Sequence, residues 1–190
     1  MEAFLVSTGL VALAECGDKT QLLALSLAAR WRRPWPIVLG ILVATALNHA
    51  GAGYAGRFLG DWLAGDWMRW AVGISFIAMA AWTLIPDKAG DAAANRDADT
   101  AWTVFAATTV AFFVVEMGDK TQIATVALGA RFEAVIAVVA GTTSGMMLAN
   151  APVVWLGDRL ADKLPLRAIR VGTASLFAAL GAATLARWPF

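Results

Sequence analysis

Apolar residues along the chain are grouped into six long stretches that are separated by short polar connections. The stretches cover roughly residues 3–29, 35–56, 69–86, 101–129, 133–155 and 168–187. Because a helix of about 20 apolar residues can cross the hydrocarbon core of a bilayer, each stretch predicts a transmembrane helix. The first and fourth stretches carry charged residues near their middle, so they span a membrane only if those charges are tolerated there.

The composition favours an all-α integral membrane protein. Of the 190 residues, 59% are hydrophobic and 15% are charged, against about 45–50% and about 25% in soluble domains. The mean hydropathy is +0.66. The net charge of +1 gives no indication of a nucleic-acid partner, so the predicted environment is the lipid bilayer.

The distribution of lysine and arginine predicts the orientation. These residues are more frequent in the first, third and fifth connections than on the opposite side, and the positive-inside rule places the basic side in the cytoplasm. Both termini are therefore predicted on the extracytoplasmic side, and residues 86–101 form a cytoplasmic linker. The N-terminal segment carries Glu2 where a cleaved signal would be positively charged, so we expect it to be retained.

The two charged segments are nearly identical in sequence. "ECGDKTQ" at 15–21 and "EMGDKTQ" at 116–122 are 101 positions apart, and the same shift relates Gly40 to Gly141. Residues 1–85 and 102–190 are therefore predicted to be two copies of one three-helix unit. Each unit crosses the membrane three times, so the second copy would enter the membrane from the side opposite to the first. The six transmembrane helices would then form two inverted repeats, an arrangement typical of transporters with a site at the membrane midplane.

Four acidic residues fall near the middle of the first and fourth spans. They are Glu15, Asp18, Glu116 and Asp119. An unpaired charge there costs from about 3 to beyond 10 kcal/mol. Glutamate and aspartate at i and i+3 share a helix face, so antiparallel packing would place all four around one cavity. Such an oxygen-rich cage suits Ca²⁺, Mn²⁺ or Mg²⁺, and protons compete for the same oxygens.

Other residues of the motifs have predicted supporting roles. Lys19 and Lys120 lie four positions after the glutamates and would balance their charge when no ion is bound. Gly17 and Gly118 would permit close helix packing. A further polar set is either auxiliary ligands or interhelical hydrogen-bond partners. This set is Gln21, Gln122, Thr20, Thr121, Asn48 and Asn150.

The sequence leaves open the roles of one histidine and two sulfur side chains near the acids. His49 has no partner histidine, so we expect it to be packed or interfacial rather than a ligand. A soft sulfur from Cys16 or Met117 would favour Mn²⁺ over Ca²⁺. Both lie about 100° around a helix from the glutamates, which favours ordinary packing.

The doubled motif resembles that of the Gdt-type cation/proton exchangers, a family grouped with the LysE-like superfamily. Members carry two copies of Glu-x-Gly-Asp-(Lys/Arg)-(Thr/Ser) in a six-helix inverted repeat, and both copies here match without departure. The resemblance covers essentially the whole chain. It implies a manganese or calcium exchanger, with the cation held by the four acids, and compact bacterial members resembling this one are manganese exporters. It also favours the bacterial inner membrane.

The leading hypothesis is a multi-pass secondary transporter that exports Mn²⁺, or also Ca²⁺, in exchange for protons. No resident cofactor and no enzymatic activity are expected. The alternatives are a passive divalent-cation channel and a membrane scaffold or assembly factor whose charged motifs form structural salt bridges. A membrane hydrolase fits less well, because the sequence offers no nucleophile–base pair. The residues leave ion selectivity, proton stoichiometry and oligomeric state open.

Overall fold

The computed structural model describes residues 1–62, 66–85, 100–156 and 166–186, and these residues form eight α-helices. In chain order the helices are α1 (Glu2–Glu15), α2 (Lys19–Trp31), α3 (Pro34–Trp62), α4 (Asp66–Thr83), α5 (Ala101–Glu116), α6 (Lys120–Arg131), α7 (Val135–Leu156) and α8 (Leu166–Leu185). The all-α prediction is confirmed for these residues. Most of the predicted linker, 86–101, and the basic connection after α7 lie outside the described residues.

Three of the described helices are long and apolar enough to cross a membrane by themselves. They are Pro34–Trp62, Val135–Leu156 and Arg167–Leu185. The pair Ala101–Glu116 and Lys120–Arg131 qualifies as a fourth candidate if both helices are counted as one span, bent by 72°. The described part of the chain therefore contains three or four candidate spans, against the six predicted. The first predicted span is divided between α1 and α2, of 14 and 13 residues.

Both motifs interrupt their helices, so the prediction of a continuous helix through each motif is wrong. α1 ends at Glu15 and α2 begins at Lys19, and the same break separates α5 from α6. Gly17 and Gly118 have φ of +79° and +75°, a left-handed conformation that glycine adopts without the steric cost of a Cβ atom. Glutamate and aspartate of one motif therefore do not share a helix face. The aspartate instead occupies the N-cap position of the following helix.

The same glutamine interaction supports both breaks. The Gly17 backbone N–H donates to Gln21 Oε1 at 2.8 Å, and the Gly118 N–H donates to Gln122 Oε1 at 2.7 Å. A Cβ atom at position 118 would meet no heavy atom within 4 Å. Gly118 is therefore required for its backbone conformation, and the predicted role in close helix packing is wrong at this position.

The 101-residue shift also relates contacts between helices. A Cβ atom at Gly40 of α3 would lie 2.9 Å from the Phe105 carbonyl oxygen of α5. At the equivalent place, a Cβ atom at Gly141 of α7 would lie 2.5 Å from the Phe4 carbonyl oxygen of α1. Because neither position has room for a side chain, α3 packs directly on the α5 backbone, and α7 packs in the same way on α1.

One helix contact has no equally close counterpart. In the α3–α6 seam, Gly56 lies against the Val126 carbonyl and Gly129 lies against the Gly53 carbonyl, with no space for a Cβ atom at either glycine. The 101-residue shift maps Gly129 onto Ala28 of α2 and Gly53 onto Val154 of α7. Both of these side chains belong to one hydrophobic cluster. The two halves therefore differ in how closely these helices approach.

Candidate cation site

The two helix breaks bring acidic groups from both motifs together. Glu15, Asp18 and Asp119 each offer one carboxylate oxygen, and these three oxygens lie within 4.8 Å of one another. The three residues are 0%, 1% and 2% exposed. Metal–oxygen distances of about 2.0–2.6 Å place ligands on opposite sides of one ion about 4–5 Å apart. The three-acid group therefore has the dimensions of a site for a single cation.

The fourth acid, Glu116, lies beside this group. Its carboxylate is buried, at 1% exposed, and it interacts electrostatically with Asp119 and Asp18. Its Oε2 atom is 3.9 Å from Nε2 of His49. The predicted quartet is thus arranged as three converging carboxylates and one neighbour that faces a histidine.

Each motif lysine contacts the aspartate of the other motif. Lys120 Nζ lies 2.5 Å from Asp18 Oδ1, and Lys19 Nζ lies 3.1 Å from Asp119 Oδ1. The predicted pairing of each lysine with the glutamate of its own motif is wrong, because the helix break removes the i,i+4 geometry. The lysine side chains also differ in environment, since Lys19 is 29% exposed and Lys120 is 4% exposed.

Several buried oxygens of the site have no hydrogen-bond partner among the described residues. The Thr20 hydroxyl donates to Glu15 Oε2 at 2.5 Å, but Glu15 Oε1 accepts no such bond. Asp119 Oδ2 likewise accepts no hydrogen bond within the described ranges, while Glu116 has the Asn48 side chain beside it and Glu15 has that of Thr121. Buried polar atoms are normally satisfied, so this concentration of acceptors fits a site whose oxygens bind a cation.

The predicted auxiliary amides have different surroundings. Gln21 and Gln122 use Oε1 to support the helix breaks, and Gln21 Nε2 also donates to the Ala149 carbonyl at 3.1 Å. Asn48 Nδ2 donates to the Phe113 carbonyl at 3.1 Å, which ties α3 to α5. These contacts favour the hydrogen-bonding alternative for Gln21, Gln122 and Asn48.

Asn150 keeps a carbonyl oxygen available. Its Nδ2 donates to the Met146 carbonyl at 3.1 Å, while Oδ1 has no hydrogen-bond partner in the described part of the chain. The residue is fully buried. An auxiliary-ligand role therefore fits Asn150 better than it fits Asn48.

His49 is the residue whose environment differs most from its predicted one. It is fully buried, as a packed histidine would be, but it faces an acid of the motif. The sequence contains one indication of this position. The 101-residue shift between the two repeats makes His49, and not Asn48, equivalent to Asn150. The sulfur residues give no comparable signal, since the Cys16 thiol donates to the Ala12 carbonyl and Met117 is 61% exposed.

Comparison with known proteins identifies the class to which this fold and site belong. The family model described as "Divalent cation/proton antiporter GDT1" matches residues 3–91 and 104–188. The chain belongs to this family, which confirms the resemblance predicted from the doubled motif. The family consists of transporters and not of enzymes, so the chain is a multi-pass membrane protein of cation transport.

A curated relative gives a more particular comparison. The chain is 48% identical over 185 residues to a "Putative manganese exporter" of Vibrio cholerae serotype O1, and the match covers 97% of this chain and 90% of the relative. No solved structure matches the chain.

Proposed function

We propose that this protein exports Mn²⁺ from the cytoplasm in exchange for protons, through one site shared by the two motifs. The observation that carries the proposal is the convergence of Glu15 and Asp18 with Asp119, which brings carboxylate oxygens from both halves within 4.8 Å. The similarity over nearly the whole chain to the Vibrio cholerae protein named "Putative manganese exporter" supports Mn²⁺ as the substrate.

The proposed topology has six crossings in two inverted repeats, residues 1–85 and 102–190. In this arrangement α1 with α2, and α5 with α6, each form one broken span whose interruption lies at the midplane. Broken helices at that depth are where secondary transporters bind their substrate ions. Both termini would lie on the extracytoplasmic side of a bacterial inner membrane, as the basic connections predict.

The charges of the site support exchange of one divalent cation for protons. Four ionised carboxylates and two lysines leave a formal charge of −2, which one Mn²⁺ neutralises. Metal ligands must be deprotonated, so metal binding releases protons. When the ion leaves, protons return to the same oxygens and the lysines keep their aspartate partners.

The difference between the two helix seams supports an alternating-access cycle. In the proposed orientation, the α3–α6 seam lies toward the extracytoplasmic side, where its facing glycines hold it closed. The equivalent seam between α2 and α7 lies toward the cytoplasm and contains Ala28 and Val154. Inverted repeats exchange conformations as the site opens to either side. The state described here is therefore assigned as closed toward the outside.

Flux through proteoliposomes tests the proposal. Vesicles that contain an internal pH dye receive external Mn²⁺, Ca²⁺ or Mg²⁺, with and without a pH gradient. An exchanger alkalises the lumen, because protons leave as external Mn²⁺ enters, whereas a passive channel moves Mn²⁺ without a coupled pH change. The variant Glu116→Gln should insert normally and lose transport. The matched control is Glu133→Gln, because Glu133 is an exposed acid in the α6–α7 connection.

The reciprocal lysine–aspartate pairs favour one second candidate, a scaffold in which the charged motifs only join helices. This candidate predicts that exchanging the two charges, in the double variant Asp18→Lys with Lys120→Asp, preserves function. Transport requires the carboxylate at its position near Glu15, so the exchanged pair should be inactive even when the protein is folded. Retained activity in the double variant would favour the scaffold.

A further inference from the structure

His49 is a fully buried residue in the middle of α3 and is the one histidine in the chain. Its Nε2 atom lies 3.9 Å from Glu116 Oε2. Neither ring nitrogen has a hydrogen-bond partner among the described residues. The ring nitrogens of a buried histidine normally have a bonding partner. We therefore expect a further group to bind to the His49 ring at this place.

A direct histidine–glutamate hydrogen bond does not account for this arrangement. The separation of 3.9 Å exceeds the range of about 2.7–3.2 Å in which such bonds form. It does match the spacing of two ligands on one metal ion. With metal–ligand distances of about 2.0–2.6 Å, neighbouring and opposite ligands of an ion lie about 3–5 Å apart.

The repeat supplies this nitrogen in one half of the molecule only, next to Glu116. The position equivalent to His49 is Asn150, a residue that is equally buried and has an unpartnered amide oxygen within the described ranges. One half therefore presents oxygen alone, and the other presents an imidazole nitrogen beside Glu116.

We infer that His49 is a ligand of the transported ion and that it sets the preference for Mn²⁺ over Ca²⁺ and Mg²⁺. Calcium and magnesium take oxygen ligands. Mn²⁺ also accepts carboxylate oxygens but is a first-row transition-metal ion, and the neutral imidazole is the commonest side-chain metal ligand. Carboxylates alone would accept all three cations, so the nitrogen supplies the discrimination. The inference rests on the proposed function and adds the determinant of its substrate specificity.

Pulsed electron paramagnetic resonance on the Mn²⁺-bound protein tests the ligand directly. A nitrogen bonded to Mn²⁺ modulates the electron spin echo. The signal identifies His49, because the chain has one histidine and the purification tag is chosen to contain none. We expect ¹⁴N modulation from a coordinated imidazole in the wild type and its loss in His49→Gln.

The outcomes separate this inference from the proposed function. Bound Mn²⁺ without ¹⁴N modulation would overturn the role of His49 and leave the carboxylate site intact. Absence of any bound Mn²⁺ would contradict the proposed function, and the inference with it. The wild-type spectrum alone decides this point, so the test does not depend on whether a variant folds.

The selectivity is measured as the ratio of Mn²⁺ to Ca²⁺ flux in proteoliposomes. The variant His49→Asn makes the two repeats alike at this position, and Tyr54→Phe, at an exposed site on the same helix, is the matched control. The ratio should fall by at least about tenfold in His49→Asn, since loss of even an outer partner costs a metal site about 10–100-fold in affinity. An unchanged ratio, including an equal loss of both fluxes, would overturn the inference.

Discussion

Lys120 Nζ lies 2.5 Å from Asp18 Oδ1, so the first turn of α6 is joined to the break that precedes α2. The equivalent contact, from Lys19 Nζ to Asp119 Oδ1, measures 3.1 Å. Each half thus supplies a lysine to the aspartate of the other half. A cation that binds these aspartates must compete with the lysines, and its entry therefore acts on both helix breaks at once.

The two lysines should contribute unequally to stability. Lys120→Gln removes a cationic partner of Asp18 from a buried pair, and breaking such a pair costs about 3–5 kcal/mol. Lys19→Gln acts on a pair whose lysine is 29% exposed although its aspartate is buried. Water that reaches the lysine position can partly replace the lost contact, so the loss of stability should be smaller than in Lys120→Gln. Thermal unfolding in detergent compares the variants, and equal shifts of Tm would contradict the prediction.

Gly118→Ala should destabilise the protein although there is space for the methyl group. The φ of +75° is a left-handed conformation that costs an L-residue about 1–2 kcal/mol. Gly51→Ala is the matched control. Gly51 also has open space around it but lies within α3 without a positive φ, where alanine is favoured by about 0.5–1 kcal/mol. A control variant that is as unstable as Gly118→Ala would refute the conformational explanation.

Gly56→Ala should disrupt the α3–α6 seam. The added Cβ atom would collide with the Val126 carbonyl, and since neither atom is the end of a flexible side chain, the helices must separate. Overpacking of this kind costs about 1–3 kcal/mol. If the seam closes the outer side, the variant should also lose coupling between Mn²⁺ and proton flux. Normal unfolding and tight coupling in Gly56→Ala would show that the seam has no such role.

Mn²⁺ binding should weaken as the pH falls, because protons compete for the carboxylates that bind the ion. The dissociation constant measured in detergent should therefore rise steadily toward acidic pH. Glu116→Gln removes one competing carboxylate and should reduce the slope of this dependence, while Glu133→Gln leaves it unchanged. A dissociation constant that does not vary with pH would contradict exchange at a shared site.

The sequence predicts the residues of the site better than it predicts their geometry. The doubled motif and its constant shift of 101 positions place Glu15 and Asp119 in one functional group before any coordinates are considered. The helix breaks are harder to foresee, since the motifs contain no proline and their apolar flanks continue the helical pattern. The local signal is a glycine followed by an aspartate that can cap the next helix.

The pairing of lysines with aspartates depends on how the two halves pack. Spacing along one chain suggests that Lys19 neutralises Glu15, because i,i+4 neighbours meet on a continuous helix. Once the helix is broken, the acid that Lys19 contacts is Asp119, which is distant in sequence. The position of His49 next to Glu116 is set by the same packing, in this case of α3 against α5.

The most direct test of a single shared site is Mn²⁺-driven proton movement in proteoliposomes containing Glu15→Gln, Glu116→Gln or both changes. Each glutamate belongs to a different motif, and neither forms one of the two lysine pairs described above. Residues that act as one unit are not additive, so each single variant should lose activity as completely as the double variant. If each single variant kept about half of the wild-type rate and only the double variant were inactive, the motifs would form independent sites.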